Sequence, residues 1–374
     1  MKELTLVFGK QANWFITASL AIVAGVVIGC GTNSPSVAPA GPSGTVGAPT
    51  ISAPSDDQQL DTVRPTLTVN NASGSGVARM YDFQVADNTA FSPVAVSKLS
   101  VAEGSGGKTS VTIDTDLNPS TRYYWRVRLV QGGTASNWTI GKFLTKVGGY
   151  NRAGELFDPL IESFTVGERF GNTTFVAGKG IRLGDTQSYV RYQLPQTVSA
   201  GEFSMEVEGL APNGPGGKMN IFSMAQGTGA VTNNNYEATV QYRGAPGNPD
   251  NCIAFKAVWG STAYKLEPDI NKRNDSVMNL NPATTYYWQA TWTATTFRVL
   301  VKQGGINGSV IYDYTITAPG GGPYAPSPHV AYLGSNAGVL GTDTGSFAGA
   351  TIRNVWLSTR SRPASLGSAA QIGR

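Results

Sequence analysis

Catalysis needs titratable or nucleophilic side chains gathered at workable spacing, and this chain of 374 residues offers few of them. Its one histidine is His329, and its two cysteines are Cys30 and Cys252. A single imidazole removes multi-histidine zinc sites and Ser-His-Asp or Cys-His catalysis as ordinarily built. His329, between Pro328 and Val330 at a strand start, reads as structural or solvent-facing. No phosphate loop, no G-x-G-x-x-G after a strand and no H-E-x-x-H occurs. Paired carboxylates remain, and Glu206 and Glu208 in "FSMEVEGL" are the best pair. Strand alternation turns Phe203, Met205 and Val207 inward and both glutamates outward. Residues two apart on a strand stand ~6.5–7 Å apart, whereas retaining glycosidases hold their carboxyls ~5–5.5 Å apart. Two glutamates on a solvated strand face ordinarily serve solubility, so this pair is the catalytic candidate only if the chain cleaves glycosidic bonds.

Binding chemistry is better represented. Aromatic rings stack on sugar C–H groups, and amides, acids and arginine bond hydroxyls. Residues 233–264 collect such groups in "NNNYEATVQYRG" and "AFKAVWGSTAY". Trp259, Tyr242, Arg243 and Tyr264 are candidates for a carbohydrate site, with Asn234 and Asn235 in the adjoining loop. The competing reading makes Tyr236, Ala238, Val240 and Tyr242 one inward face, which places Tyr242 in a core and Arg243 and Lys256 on the opposite side.

These residues must be held by β-structure. Charged residues are only 14 % of the chain, which carries 46 Gly and 21 Pro, the balance of exported all-β domains with many turns. The formal charge of +4 is scattered. A nucleic-acid footprint would need Lys and Arg clustered on one face, so that partner is excluded from the reading.

The N-terminus carries Lys2 and Lys10 and then an uncharged run, "WFITASLAIVAGVVIG", from Trp14 to Gly29. The run is short of the ~20 residues that span a bilayer and suits the apolar region of a signal peptide. It ends in Val27-Ile28-Gly29-Cys30, which resembles the lipobox of bacterial lipoproteins. The resemblance implies lipidation at Cys30 and a place on the outer membrane or cell surface, the lipid being the membrane contact. An uncleaved anchor and an ordinary signal peptide are the alternatives. Residues 30–49 are rich in Gly, Ser, Pro and Ala and read as a flexible tether. With Cys30 acylated, Cys252 has no disulfide partner and reads as a small core residue.

Residues 50–146 alternate strand patterns with turn residues at the spacing of a β-sandwich. Leu117, Pro119, Thr121 and Tyr123 form L-x-P-x-T-x-Y, which resembles the entry to strand F of fibronectin type III domains. That resemblance implies a tyrosine corner, with the ring of Tyr123 inside and its hydroxyl bonded to backbone. Trp125, Val127 and Leu129 then face in, and Tyr124, Arg126 and Arg128 face out. The usual early tryptophan is absent, and Trp125 or Trp138 is expected to fill its place.

Residues 150–362 hold about eleven further strand patterns and no convincing helix. "GKGIRL" followed by "YVRYQL", the strand "GEFSMEVEGL", and the closing Phe347, Gly349, Ile352, Asn354, Val355 and Leu357 resemble the concanavalin A-like (laminin-G-like) superfamily. A single jelly-roll sandwich is the implied fold. Some members of that superfamily cleave β-glucans with E-x-D-x-x-E, from which "E-V-E-G-L" departs in lacking the Asp and the third acid. Members often hold a structural Ca²⁺, for which Asp185 and Asp343 lie in plausible loops. No other cofactor is implied. Residues 363–374 are small and polar and are expected to be disordered.

The nonapeptide "LNPSTRYYW" at 117–125 returns as "LNPATTYYW" at 280–288. The flanks do not match, so convergence on one local device is expected rather than domain duplication. Together these readings describe a non-catalytic surface lipoprotein whose distal domain binds carbohydrate or another extracellular polymer. The alternatives are an adhesive protein with protein partners, and a glycoside hydrolase or polysaccharide lyase with an atypical carboxylate pair.

Overall fold

The computed structural model describes residues 46–74, 76, 78–211, 217–227, 236–244, 249–258, 265–266, 268–317, 328–334 and 350–366. The described chain is all-β, two sandwiches in series, with helical structure confined to 3-10 turns at Ser105–Gly107, Asp269–Lys272 and Asn274–Ser276. Cys30 lies outside the described residues, so lipidation has no structural counterpart here.

The first sandwich uses β1 (Thr50–Ala53), β2 (Gln58–Gln59), β3 (Thr66–Asn70), β4 (Arg79–Ala86), β5 (Val96–Ala102), β6 (Lys108–Thr112), β7 (Arg122–Gln131), β8 (Thr134–Ala135) and β9 (Thr139–Leu144). One sheet runs β1-β3-β6; the other runs β2-β9-β7-β4-β5, with β8 on β7. Period-2 patterning explains the packing: Tyr123, Trp125, Val127 and Leu129 are buried against Leu67, Val69, Phe83 and Val85, while Tyr124, Arg126 and Arg128 face outward and are half-buried. Trp125 is the tryptophan that fills the core, stacked 6.3 Å from Phe83. Trp138 does not. It lies on the outer face, 4.4 Å and 4.6 Å from the guanidinium carbons of Arg126 and Arg128.

The second sandwich opens with β10 (Tyr150–Arg152), β11 (Glu155–Asp158), β12 (Glu168–Phe170), β13 (Thr173–Val176), β14 (Gly180–Leu183), β15 (Tyr189–Gln193), β16 (Gly201–Glu208) and β17 (Lys218–Ala225). It continues with β18 (Tyr236–Arg243), β19 (Cys252–Val258), β20 (Lys265–Leu266), β21 (Thr285–Trp292), β22 (Thr296–Gln303), β23 (Ser309–Thr317), β24 (Val330–Gly334) and β25 (Thr351–Ser358). A nine-stranded sheet is ordered β10-β11-β25-β16-β21-β22-β23, with β14 on β25 and β13 on β14. It faces a seven-stranded sheet ordered β12-β15-β24-β17-β18-β19-β20. Phe203, Met205, Val207, Trp288 and Trp292 of the first meet Tyr192, Phe222, Val240 and Phe255 of the second. The rings of Phe203 and Phe222 stack at 4.6 Å across the gap. Gly180 is required where β14 meets β25: its φ is +136°, and a Cβ there would stand 2.2 Å from the carbonyl oxygen of Ile352.

Both sandwiches belong to one compact unit, and the chain crosses between them twice. The outgoing crossing is clamped by the Ser120 hydroxyl, which donates to the Gly148 carbonyl at 2.8 Å and accepts from the Gly148 N–H at 2.9 Å. The return crossing is a strap after β25. There Leu366 bridges to Thr121, and the Arg122 N–H donates to the Ser365 carbonyl at 3.2 Å. Leu366 is buried with Phe157 and Trp356. Residues 363–366, expected as part of a disordered tail, are therefore packed; Leu366 supplies the apolar anchor that the small polar residues around it lack. Residues 367–374 lie outside the described residues.

Candidate functional site

The outer face of the seven-stranded sheet gathers polar side chains that strand pairing brings into one row. Glu168 pairs with Arg191, Arg191 with Tyr332, Tyr332 with Ser223, Ser223 with Thr239, and Thr239 with Lys256. Their chain neighbours Val190, Tyr192, Ala331, Leu333, Phe222, Met224, Ala238, Val240, Phe255 and Ala257 all face the core, so alternation turns this row outward. Five strand spacings at ~4.8 Å make it about 24 Å wide. A parallel line follows on the same face, where Gln241 donates to Asn220 at 2.7 Å and Arg243 donates to Gln241 at 3.0 Å.

The two ends of the row differ in character. At the β12–β15 end, Arg191 donates to Glu168 at 2.7 Å and lies 4.7 Å above the ring of Phe170. Phe170 stacks on Tyr189 at 4.6 Å, and Tyr189 meets Tyr332 at 5.8 Å. Phe170, Tyr189 and Arg191 are half-buried and Glu168 is exposed, so this end is open to a ligand. In the middle, Ser223 and Thr239 are buried, and neither hydroxyl has a hydrogen-bond partner among the described residues. Buried hydroxyls ordinarily find partners. Two adjacent unpaired ones therefore mark a place where added polar atoms lower the free energy.

Tyr242 is a correction to the carbohydrate-site reading: it is fully buried, and its hydroxyl donates to the Met278 carbonyl at 2.7 Å. The inward alternation of Ala238, Val240 and Tyr242 decides its place. Arg243 does lie on the outer face, bonded to Gln241. Trp259, Tyr264, Asn234 and Asn235 lie outside the described residues. In sequence, Trp259 directly follows the end of β19 and Asn235 directly precedes β18, two strands that carry the row. The open end of the row was missed. Its signal was the alternation in "YVRYQL", which sets Tyr189 and Arg191 on one face.

Both glutamates of the candidate pair are engaged in ion pairs. Glu206 is buried rather than solvated. It accepts from Arg353 Nε at 3.1 Å, Asn354 Nδ2 at 3.0 Å and the Ile306 N–H at 3.3 Å. Burial alone would raise its pKa. The charges of Arg353 and Arg362 and the bonds from Asn354 and Ile306 overcome that and hold it below the ordinary carboxylate range. A carboxylate so placed favours its ionised form, which does not suit the general-acid role. Glu208 pairs with Lys179 at 2.9 Å and Arg353 at 3.5 Å. The sequence treats this face as solvated because it cannot show the strap that crosses it. Arg362 of the strap is half-buried; desolvation depresses its pKa against the opposing pull of Tyr287, Glu206 and Glu202, and it donates to the Asn354 carbonyl at 2.6 Å.

Asp185 is exposed and its Oδ1 accepts from the Gln187 N–H and the Ser188 hydroxyl, closing a turn. Asp343 lies outside the described residues. Among the described residues no three His, Cys, Asp or Glu side chains gather to hold a metal ion. His329 is exposed at the start of β24, and Cys252 is buried and in no disulfide among the described residues. No described helix is long and apolar enough to cross a membrane.

No family model matches this sequence, and no curated protein matches it. Solved structures do align with it. The exoplasmic/lumenal domain of VIP36 in its Ca²⁺/Man3GlcNAc-bound form shares 14 % identity over 57 % of this chain and 90 % of its own, with a TM-score of 0.35. Arcelin-5, a lectin-like defence protein from Phaseolus vulgaris, shares 10 % identity over 56 % of this chain and 98 % of its own, with a TM-score of 0.32. The Emp47p carbohydrate recognition domain shares 14 % over 55 % of this chain and 94 % of its own, also at a TM-score of 0.32.

Proposed function

We propose that this chain is a non-catalytic surface lipoprotein, tethered through Cys30, whose second sandwich binds carbohydrate or another extracellular polymer along the outer row of its seven-stranded sheet. The first sandwich serves as a fibronectin type III-like spacer, a reading supported by its β1-β3-β6 and β9-β7-β4-β5 sheet order and its tyrosine corner. The second is read as concanavalin A-like, supported by its two facing sheets and shared core.

One observation carries the binding reading. A half-exposed stack of Phe170 and Tyr189, flanked by the Arg191–Glu168 pair, opens onto a row containing two unpaired buried hydroxyls. Aromatic edges beside directional hydrogen-bonding groups suit a sugar chain. The non-catalytic reading is supported by the committed bonding of Glu206 and Glu208. A glycan array probed with the full chain tests the proposal: binding to particular glycans is expected, and Tyr189→Ala and Trp259→Ala variants should abolish it. Silence across the array with the variants equally silent would point to a protein partner. Release of reducing ends from β-glucans or alginate, abolished in Glu206→Gln, would make the chain an enzyme.

A further inference from the structure

A cleft of about 220 Å³ lies where the return strap meets the first sandwich. Its walls come from three segments distant in sequence: Asp87, Asn88 and Thr89 after β4, Arg122 and Tyr124 on β7, and Ala364 and Ser365 of the strap. Ligand sites favour such junctions between domains. The strap wall is fixed, because Ser365 is bonded to Arg122 and Leu366 is buried beside it.

The lining carries unspent hydrogen-bonding capacity. Asp87 is half-buried, and among the described residues its carboxylate accepts one side-chain bond, from Asn88 Nδ2 to Oδ1 at 2.9 Å, and joins no ion pair. Other acids of this sandwich do join ion pairs: Asp57 with Lys142, Asp82 with Arg128, Glu103 with Arg79, and Asp114 with Lys98. The hydroxyls of Thr89, Tyr124 and Ser365 make no hydrogen bond among the described residues. Asn88, by contrast, is spent on Asp87 and the Ser92 backbone. One carboxylate and one guanidinium line the cleft, and the Arg122 Nε faces Asp57 at 3.2 Å. The charge of the lining therefore sums to zero.

We infer that this cleft binds one neutral sugar residue, such as the end or branch unit of a polysaccharide. Its volume of about 220 Å³ is below the ~300–1,000 Å³ of sites for larger ligands. That size suits a single ring held end-on. Asp87 accepts from a pair of hydroxyls, the Arg122 guanidinium donates, and the Tyr124 ring supplies the apolar wall. An anionic ligand would meet the Asp87 charge without a second cation to offset it. This site is separate from the row on the second sandwich and does not depend on that reading.

Saturation-transfer NMR on the full chain with methyl glycosides of glucose, galactose, mannose and N-acetylglucosamine, and with glucuronate as the anionic comparator, tests the inference. Saturable binding of at least one neutral glycoside is expected, weakened about tenfold or more by Asp87→Asn and by Tyr124→Ala. Leu99→Ala, at an exposed position of β5 outside both sites, should leave that binding unchanged. No saturable binding by any neutral glycoside, binding that survives both cleft variants, or a preference for glucuronate would each overturn it. Loss of binding in Ser223→Ala with the cleft variants silent would assign the sugar to the row instead. Far-UV spectra and melting of Asp87→Asn, which preserves shape, separate lost binding from lost folding.

Discussion

Two stretches of nearly identical sequence, 117–125 and 280–288, end in different surroundings, and the contrast separates what a local motif dictates from what its setting adds. The common part is a corner. The hydroxyl of Tyr123 accepts from the Asn118 N–H at 3.1 Å, and that of Tyr286 accepts from the Asn281 N–H at 2.8 Å. In both, the leucine, the corner tyrosine and the tryptophan are buried: Leu117, Tyr123 and Trp125, and Leu280, Tyr286 and Trp288. The settings differ. The first copy leads into β7, between β4 and β9, and the second into β21, between β16 and β22. The next tyrosine records this. Tyr124 is half-buried at the edge of a cleft. Tyr287 is buried and donates to Glu202 at 3.1 Å, and burial followed by the Glu202 charge pushes its hydroxyl well above the ordinary tyrosine range.

The contrast is sharpest at that position. Tyr287→Ala should cost about 3–5 kcal/mol, the range for removing a buried aromatic, while Tyr124→Ala should stay within about 0.5 kcal/mol. Urea midpoints of the two variants measure both, and equal losses would erase the distinction between the settings.

The charges behind each copy come next. Glu206→Gln should cost about 1.5–3 kcal/mol, as expected for hydrogen bonds to a charged group, whereas Asp57→Asn, at a half-exposed pair with Lys142 and Arg122, should cost at most about 1 kcal/mol. The acid limb gives an independent reading. The folded pKa of Glu206 lies below its unfolded value of about 4.3, so its stabilisation is complete above that pH and is lost as pH falls further. Melting temperatures taken from pH 6 down to 2 should fall less steeply in Glu206→Gln than in the parent chain.

Smaller effects probe the shared corner. Tyr123→Phe and Tyr286→Phe should each cost about 1 kcal/mol, since each leaves a backbone N–H without its acceptor. Pro119→Ala and Pro282→Ala should each cost about 0.4–1 kcal/mol by freeing the unfolded chain at the turn. Similar values in both copies, by denaturant titration, would show that the corner is a portable device; a large effect in one copy alone would break the equivalence.

Much of this was legible because β-alternation is local. The inward sets Trp125-Val127-Leu129 and Trp288-Ala290-Trp292 follow from counting by two, as does the placing of Glu206 opposite Met205. What covers an outward face is not local. Glu206 reads as solvated until Arg362, 156 positions on, is found in the strap beside it. The polar row was equally hidden, because it joins Glu168 to Tyr332 and Lys256 through registers that no single segment contains. Tyr242 was ambiguous because both readings fit its strand; burial decided between them.

The return strap carries a mechanical consequence. Two bodies joined by one peptide can pivot about it, but here the chain leaves one sandwich at Lys146 and comes back to it at Ser365 and Leu366. A pull on either body is shared between two fastenings, which grip consecutive residues of the first sandwich, Ser120 and then Thr121 and Arg122. Severing the strap would leave the chain one crossing between the two bodies instead of two.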